Sequence, residues 1–140
     1  MNNTQMKAYK VKEIIFSNNI KSKVELKLGN KVSHNVRYST NNICEAELTV
    51  EVKDKDNPDI LSVKVTVSGI FQITNNVEKE FIHVETFKEL FPFAKALITT
   101  ISANAGIAPI IVQSIDIENQ EIYRWNIGKK QTGEQKEEES

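Results

Sequence analysis

The strongest constraint in this chain is strict two-residue alternation in two long segments. In Glu45 to Lys53, Ala46, Leu48, Val50 and Val52 alternate with Glu45, Glu47, Thr49, Glu51 and Lys53. In Val63 to Ile73, Val63, Val65, Val67, Phe71 and Ile73 alternate with Lys64, Thr66, Ser68 and Gln72. Successive side chains of a strand point to opposite faces, so each segment reads as a strand with one buried and one polar face. The charged, turn-rich stretch from Asp54 to Asp59 joins them as a hairpin loop. Gly69 sits at an apolar-face position, which marks a bulge or the close approach of another element.

Two further strands are expected before these. Lys23 to Leu28 alternates Val24, Leu26 and Leu28 with Lys23, Glu25 and Lys27, and Gly29-Asn30 then offers a turn. In Tyr9 to Ser17 the apolar phase changes, from Tyr9 and Val11 to Ile14 and Phe16. A bulge near Glu13, or a strand apolar on both faces at its far end, would account for the switch.

After Asn75-Asn76 the period becomes helical. Thr86 and Glu89 fit a capping box at a helix start, and Pro92 then ends that turn and opens a new helix. From Phe93, apolar residues recur at Ala94, Leu97, Ile98, Ile101 and Ala105, with Gly106 as the stop. Ile110 to Ile117 is a second apolar stretch, and Gln120 to Ile127 is ambiguous. Strands grouped before a helix give an α+β class: a four-stranded antiparallel sheet with helices packed on one face. The domain is expected over residues 9–127, after a flexible N-terminus at 1–8. Residues 128–140 read as a disordered charged tail, because no large apolar residue there offsets ordering entropy.

Charge is balanced, with 18 Lys+Arg against 19 Asp+Glu. A nucleic-acid partner would call for a basic excess, so none is expected. The single cysteine, Cys44, reads as a small buried hydrophobe and cannot close an intrachain disulfide. The opening MNNTQMKAYK lacks the basic start and apolar run of a signal peptide, and no stretch approaches a membrane span. A cytoplasmic location without membrane insertion is the expectation.

No catalytic constellation stands out. His34 and His83 are far apart, without metal-ligand spacing, and no phosphate-cradling or nucleophile-elbow motif occurs. Neither an enzyme activity nor a cofactor or metal is expected. Glu45, Glu47 and Glu51 share one strand face, which reads as a solvated face or a partner-docking patch. More informative is a surplus of large apolar residues. Phe81, Ile82, Val84, Phe87, Leu90, Phe91 and Phe93 crowd one region, and Ile107, Ile110, Ile111, Val112, Ile115 and Ile117 another. They complete the core, build a subunit interface, or line apolar grooves.

Three segments in order resemble the SecB family of protein-export chaperones. Leu90-Phe91-Pro92-Phe93-Ala94-Lys95 is similar to the family's LFPYAR helix start. Val67-Ser68-Gly69-Ile70-Phe71-Gln72-Ile73 resembles the GIFxI stretch that ends its last strand. Gly106-Ile107-Ala108-Pro109, followed by Ile110-Ile111-Val112, resembles its GxFP segment. The resemblance implies an ATP-independent holdase that binds unfolded or non-native polypeptides for export and assembles as a dimer of dimers. It implies client contact at Phe71, Phe81, Phe87, Leu90 and Phe91. Phe93, Leu97, Ile98 and Ile101 would serve the helix core or a subunit interface. Docking of the SecA motor would fall to Glu13 and Glu45, while Ser17 stands where a third acid would be. Ser114 to Ile117 departs from the family's second helix. A dedicated chaperone for one partner, such as an antitoxin, is the alternative.

Overall fold

The computed structural model describes residues 3–21, 25–74 and 76–112. Four strands precede one helix: β1 (Thr4–Asn18), β2 (Leu28–Tyr38), β3 (Ile43–Asp54), β4 (Leu61–Ile73) and α1 (Lys79–Asn104). They form one antiparallel sheet in the order β1-β4-β3-β2, so β1 and β2 are its edges. The expected class and one-sided packing are what the structure has. Alternating residues of β3 and β4 fill the core under α1, with Leu48, Val50, Val63, Val65 and Val67 fully buried. Cys44 is buried among them, and desolvation pushes its thiol up to about 11, so it stays protonated and unreactive.

β1 carries the expected bulge and a second one. The register with β4 shifts between Val11 and Glu13 and again between Met6 and Ala8. Each shift absorbs one residue, so Thr4, Met6, Tyr9, Val11, Ile14 and Phe16 all pair with the helix-side row of β4. That resolves the change of phase. The strand also begins at Thr4 rather than Tyr9, so residues 4–8 of the lead-in expected to be flexible are part of β1. Thr4 is buried, and Asn3 donates its backbone amide at 2.8 Å to the Glu85 carboxylate on α1. The polar residues before Tyr9 are thereby tied to the helix.

β2 is the larger correction. It begins at Leu28 and runs through Gly29-Asn30, where a turn was expected, instead of ending there. Its helix-facing row is Val32, His34, Val36 and Tyr38, apolar enough for an edge strand but interrupted by a histidine. Asn41 and Asn42 then turn the chain into β3 with φ of 64° and 59°. These left-handed values suit asparagine better than other side-chain-bearing residues.

α1 starts at Lys79, not at Thr86. Thr86 is buried inside the helix, and its hydroxyl donates to the Ile82 carbonyl at 2.8 Å. Its side chain is thus spent on the helix interior and on β2, not on a free helix end. Pro92 lies within the helix, which passes through it as one element. Packing of the flanking residues on the sheet outweighs the lost amide bond. Gly106 does mark the end, with φ of 87°. The chain then doubles back: Ile110 donates its amide to Ser102 Oγ at 2.8 Å, and Thr99 Oγ1 donates to the Ile110 carbonyl at 2.7 Å.

Gly69 marks a close approach. A Cβ there would stand 2.8 Å from a Phe71 ring carbon and 3.2 Å from a Leu90 methyl. The helix rests almost directly on the β4 backbone at this point. The expected tail at 128–140, Ile115, Ile117 and the segment from Gln120 to Ile127 lie outside the described residues.

Candidate functional site

Three surfaces of the fold could engage another molecule. The first is a cleft of about 430 Å³ where edge strand β2 meets the first turns of α1. Val36 and Tyr38 come from the strand, and Glu78, Lys79, Glu80 and His83 from the helix. Lys79 Nζ lies 4.7 Å from the centre of the Tyr38 ring, a cation–π contact that closes one end. Burial pushes the Tyr38 hydroxyl up to about 12, so it stays a neutral hydrogen-bonding group. Behind the cleft, His83 meets His34 edge to face at 4.8 Å. Desolvation lowers both imidazoles, His34 to about 3, so the pair is neutral at ordinary pH. Phe81 stands on the same helical turn and is 54% exposed.

The second surface is the β1 edge. α1 covers β3 and β4, but β1 extends past it. Val11 and Ile14 on the helix side and Ile15 on the other are left exposed. Phe93 continues this strip from the helix, stacked on Tyr9 with ring centres 4.3 Å apart.

The third is the open sheet face, where the acids expected to dock a motor lie. Glu45 accepts hydrogen bonds from Arg37 Nη2 at 2.5 Å and Ser68 Oγ at 2.9 Å. The Ser68 bond, then Arg37, holds its carboxyl below the ordinary range. Glu47 is paired with Lys12 at 2.7 Å. Glu13 is exposed at the β1 bulge. So Glu45 is already engaged within the sheet face by Arg37 and Ser68, with its side chain still 26% exposed.

The residues expected to touch a client separate into two groups. Phe71, Phe87 and Leu90 are sealed in the core, at 0–1% exposure, and Phe91 is 8% exposed. They fasten α1 to the sheet, with Phe87 and Phe91 stacked at 5.2 Å, and cannot meet a partner without opening the fold. Their number in one segment reflects a helix lying flat on a sheet. Only Phe81 of that set is open. Of the second set, Ile98 is core, Leu97 and Ile101 are half-buried against it, and Phe93 is 43% exposed. Sequence reasoning missed Tyr38 and Lys79, and read His83 only as a histidine without metal-ligand spacing. For Tyr38 the only signal was the weak alternation of β2, which a glycine-containing start obscured, and Lys79 and His83 lie on a helical turn that was expected to begin only at Thr86.

Residues 3–129 match the family model described as Preprotein translocase subunit SecB. The chain belongs to the SecB family. Among SecB relatives, "Protein-export protein SecB" of Bradyrhizobium diazoefficiens is 29% identical over 69% of this chain and 64% of its own length. An uncharacterized protein of Methanocaldococcus jannaschii is 31% identical over 89% of both chains. The SecB fold is also seen in a SecB-like chaperone of Mycobacterium tuberculosis, solved in complex with an antitoxin peptide. It superposes with a TM-score of 0.65 at 10% identity, over 81% of this chain and 88% of that one. The chain thus spans less than two thirds of the export protein's length. Among the described residues, no helix is long and apolar enough to cross a membrane.

Proposed function

We propose that this SecB-family chain is an ATP-independent holdase chaperone that binds extended, non-native polypeptide, for export or for one dedicated partner. The observation that carries the reading is β2, an edge of the sheet with no further strand beside it among the described residues, next to a cleft that takes in Val36, Tyr38 and His83, with Phe81 exposed on the same helical turn. Unfolded chains expose apolar side chains together with unpaired amides. An edge strand satisfies the amides while Tyr38, Val36 and Phe81 receive side chains, and neither contact reads one sequence. Nothing in this action requires a bond to be made or broken. Work in the cytoplasm fits where non-native chains emerge.

The β1 strip supports self-association. Val11, Ile14 and Phe93 form an apolar edge that a second copy would cover, and pairing of two such edges is the natural first step toward a dimer of dimers. Transfer of clients to the SecA motor through Glu13 and Glu45 is not part of this reading, because Glu45 is already engaged by Arg37 and Ser68.

The test is aggregation suppression. The purified protein is mixed with several chemically denatured, slow-folding substrates, and light scattering is followed without ATP against an inert protein of similar size. Suppression that saturates at a fixed ratio supports the general holdase. Suppression of none of them, with tight binding of a single peptide such as an antitoxin segment, moves the reading to a dedicated chaperone. That alternative draws on the antitoxin peptide bound to the structural neighbour.

A further inference from the structure

The pairing of β2 with β3 fixes which backbone groups of this sheet edge point outward. Ser39 donates its amide to the Ile43 carbonyl at 2.9 Å, and Lys55 donates to the Lys27 carbonyl at 2.7 Å. Both couples continue one unbroken antiparallel register, which runs from Leu28 opposite Asp54 to Tyr38 opposite Cys44. In such a ladder, hydrogen-bonded and non-hydrogen-bonded pairs alternate. Lys31, Ser33, Asn35 and Arg37 therefore commit their amides and carbonyls to β3. Asn30, Val32, His34, Val36 and Tyr38 direct theirs away from the sheet. The side chains of this second set stand on the α1 side, because their partners on β3 are the buried row from Cys44 to Val52. One set of residues thus carries both the outward backbone groups and, through Val36 and Tyr38, a wall of the cleft.

Sheet edges are ordinarily blunted by proline, by bulges or by charges placed on the edge. β1 is interrupted by two register shifts. β2 has no proline and no shift, and its Lys31 and Arg37 lie on the face away from α1. Among the described residues, no strand lies beyond it.

We infer that β2 receives a client as an added antiparallel strand in a single parity, so that the cleft selects segments in which apolar and polar residues alternate. The inference rests on the holdase reading and gives the class of client for that same site. Directly opposed residues of an antiparallel pair carry their side chains on the same face. A client residue hydrogen-bonded to Val36 or Tyr38 then turns its own side chain toward the cleft. Its neighbours on either side turn their amides to solvent and their side chains toward the open face. Apolar side chains are favoured at the first parity and polar ones at the second. Proline is excluded only from the first, where the amide is needed. A segment of helical period cannot keep its apolar residues on one side of an extended strand. A parallel strand would reverse the parity, because its residues bonded to β2 would lie opposite Ser33 and Asn35 and face away from the cleft.

The test uses the full chain and fluorescein-labelled peptides of about nine residues, enough to span Asn30 to Tyr38, with Val and Ser in alternation and a terminal Lys for solubility. Anisotropy is read for this parent peptide, for versions N-methylated at one central Val or at the Ser beside it, and for a peptide of equal composition with helical period. N-methylation at Val is expected to cost at least about tenfold, from a lost hydrogen bond and the clash of the methyl group, and at Ser at most about twofold. The helical-period peptide should bind at least about tenfold more weakly than the parent. On the protein, Val36→Pro removes one outward amide and no bond to β3, and should weaken the parent peptide far more than Val36→Ala does. Should the proline variant melt early, the methylated peptides decide alone, because they leave the protein unaltered. Equal losses at Val and Ser, or a loss at Ser alone, overturn the proposal, as does equal binding of the helical-period peptide. A free chain whose mass falls with Val36→Pro while no peptide binds assigns the edge to a second copy and overturns it too. Failure of the parent peptide to bind also overturns it. Aggregation suppression by the unaltered protein is measured alongside, so failure here and failure of the holdase reading are distinguishable.

Discussion

His34 Nε2 on β2 lies 3.0 Å from Thr86 Oγ1 on α1, in a fully buried contact that joins the sheet's edge strand to the helix. The Thr86 hydroxyl hydrogen is committed to the Ile82 carbonyl, so its oxygen accepts from His34, which fixes the Nε2–H tautomer. Thr86→Val keeps the shape and leaves that donor without a partner. We expect a loss of about 1–3 kcal/mol in a denaturant melt, the cost of stranding a buried polar group.

The same pair sets a pH dependence. Both folded-state histidine values are lowered from 6.5, that of His34 to about 3. The unfolded chain therefore binds protons first as pH falls, and protonation favours unfolding. The contribution is complete above about pH 6.5 and declines below it, toward pH 3. Lys79, Glu78 and Glu80 line the same cleft as His83. Thermal melts from pH 7.5 to 4 should show falling stability, and His34→Gln should flatten the curve. An unchanged slope in the variant would remove His34 from the account.

Phe81 and Phe87 differ in exposure, 54% against 1%, and their substitutions should differ in kind. Phe81→Asp is expected to weaken binding of a denatured client without moving the melting temperature. Phe87→Ala empties part of the core and should cost about 3–5 kcal/mol. Unaltered client binding by folded Phe81→Asp would take this residue out of the site.

Gly69 lies under Leu90 and Phe71, both fully buried. The ring and the methyl have no space to retreat into, so a side chain must push α1 away from β4. Gly69→Val is expected to cost about 1–3 kcal/mol by overpacking, and Gly69→Ala less. Equal stability of the valine variant and the parent would mean that the helix shifts freely on the sheet.

On the β1 edge, Val11→Glu with Ile14→Glu should lower the mass measured by light scattering, by placing like charges at the proposed contact between copies. Retention of the parent mass would locate the contact elsewhere.

The sequence by itself determined the class, the two central strands and the side of the sheet that is buried. β3 and β4 carry uninterrupted alternation, and a period of two leaves no freedom about which row faces the core. It also determined the helix stop at Gly106, and it narrowed the phase change between Val11 and Ile14 to a bulge near Glu13 or a strand apolar on both faces, between which the pairing with β4 decided. The edges were decided only by the tertiary structure. An edge strand buries one face partly and pairs on one side, so β2 could carry His34, Gly29 and the two charges of Lys31 and Arg37 and still be a strand. The helix starts at Lys79 rather than Thr86, with Ile82 and Val84 already buried, and the Thr86 hydroxyl meets His34, a residue far away in the chain, instead of capping a free end. Exposure was decided at the same level. Phe81 and Phe87 look alike in sequence, and the placement of α1 on the sheet makes one a surface and the other a core residue. The open face followed the same rule: three glutamates on one strand read as a solvated face or a docking patch, and only the register set lysines and an arginine beside them.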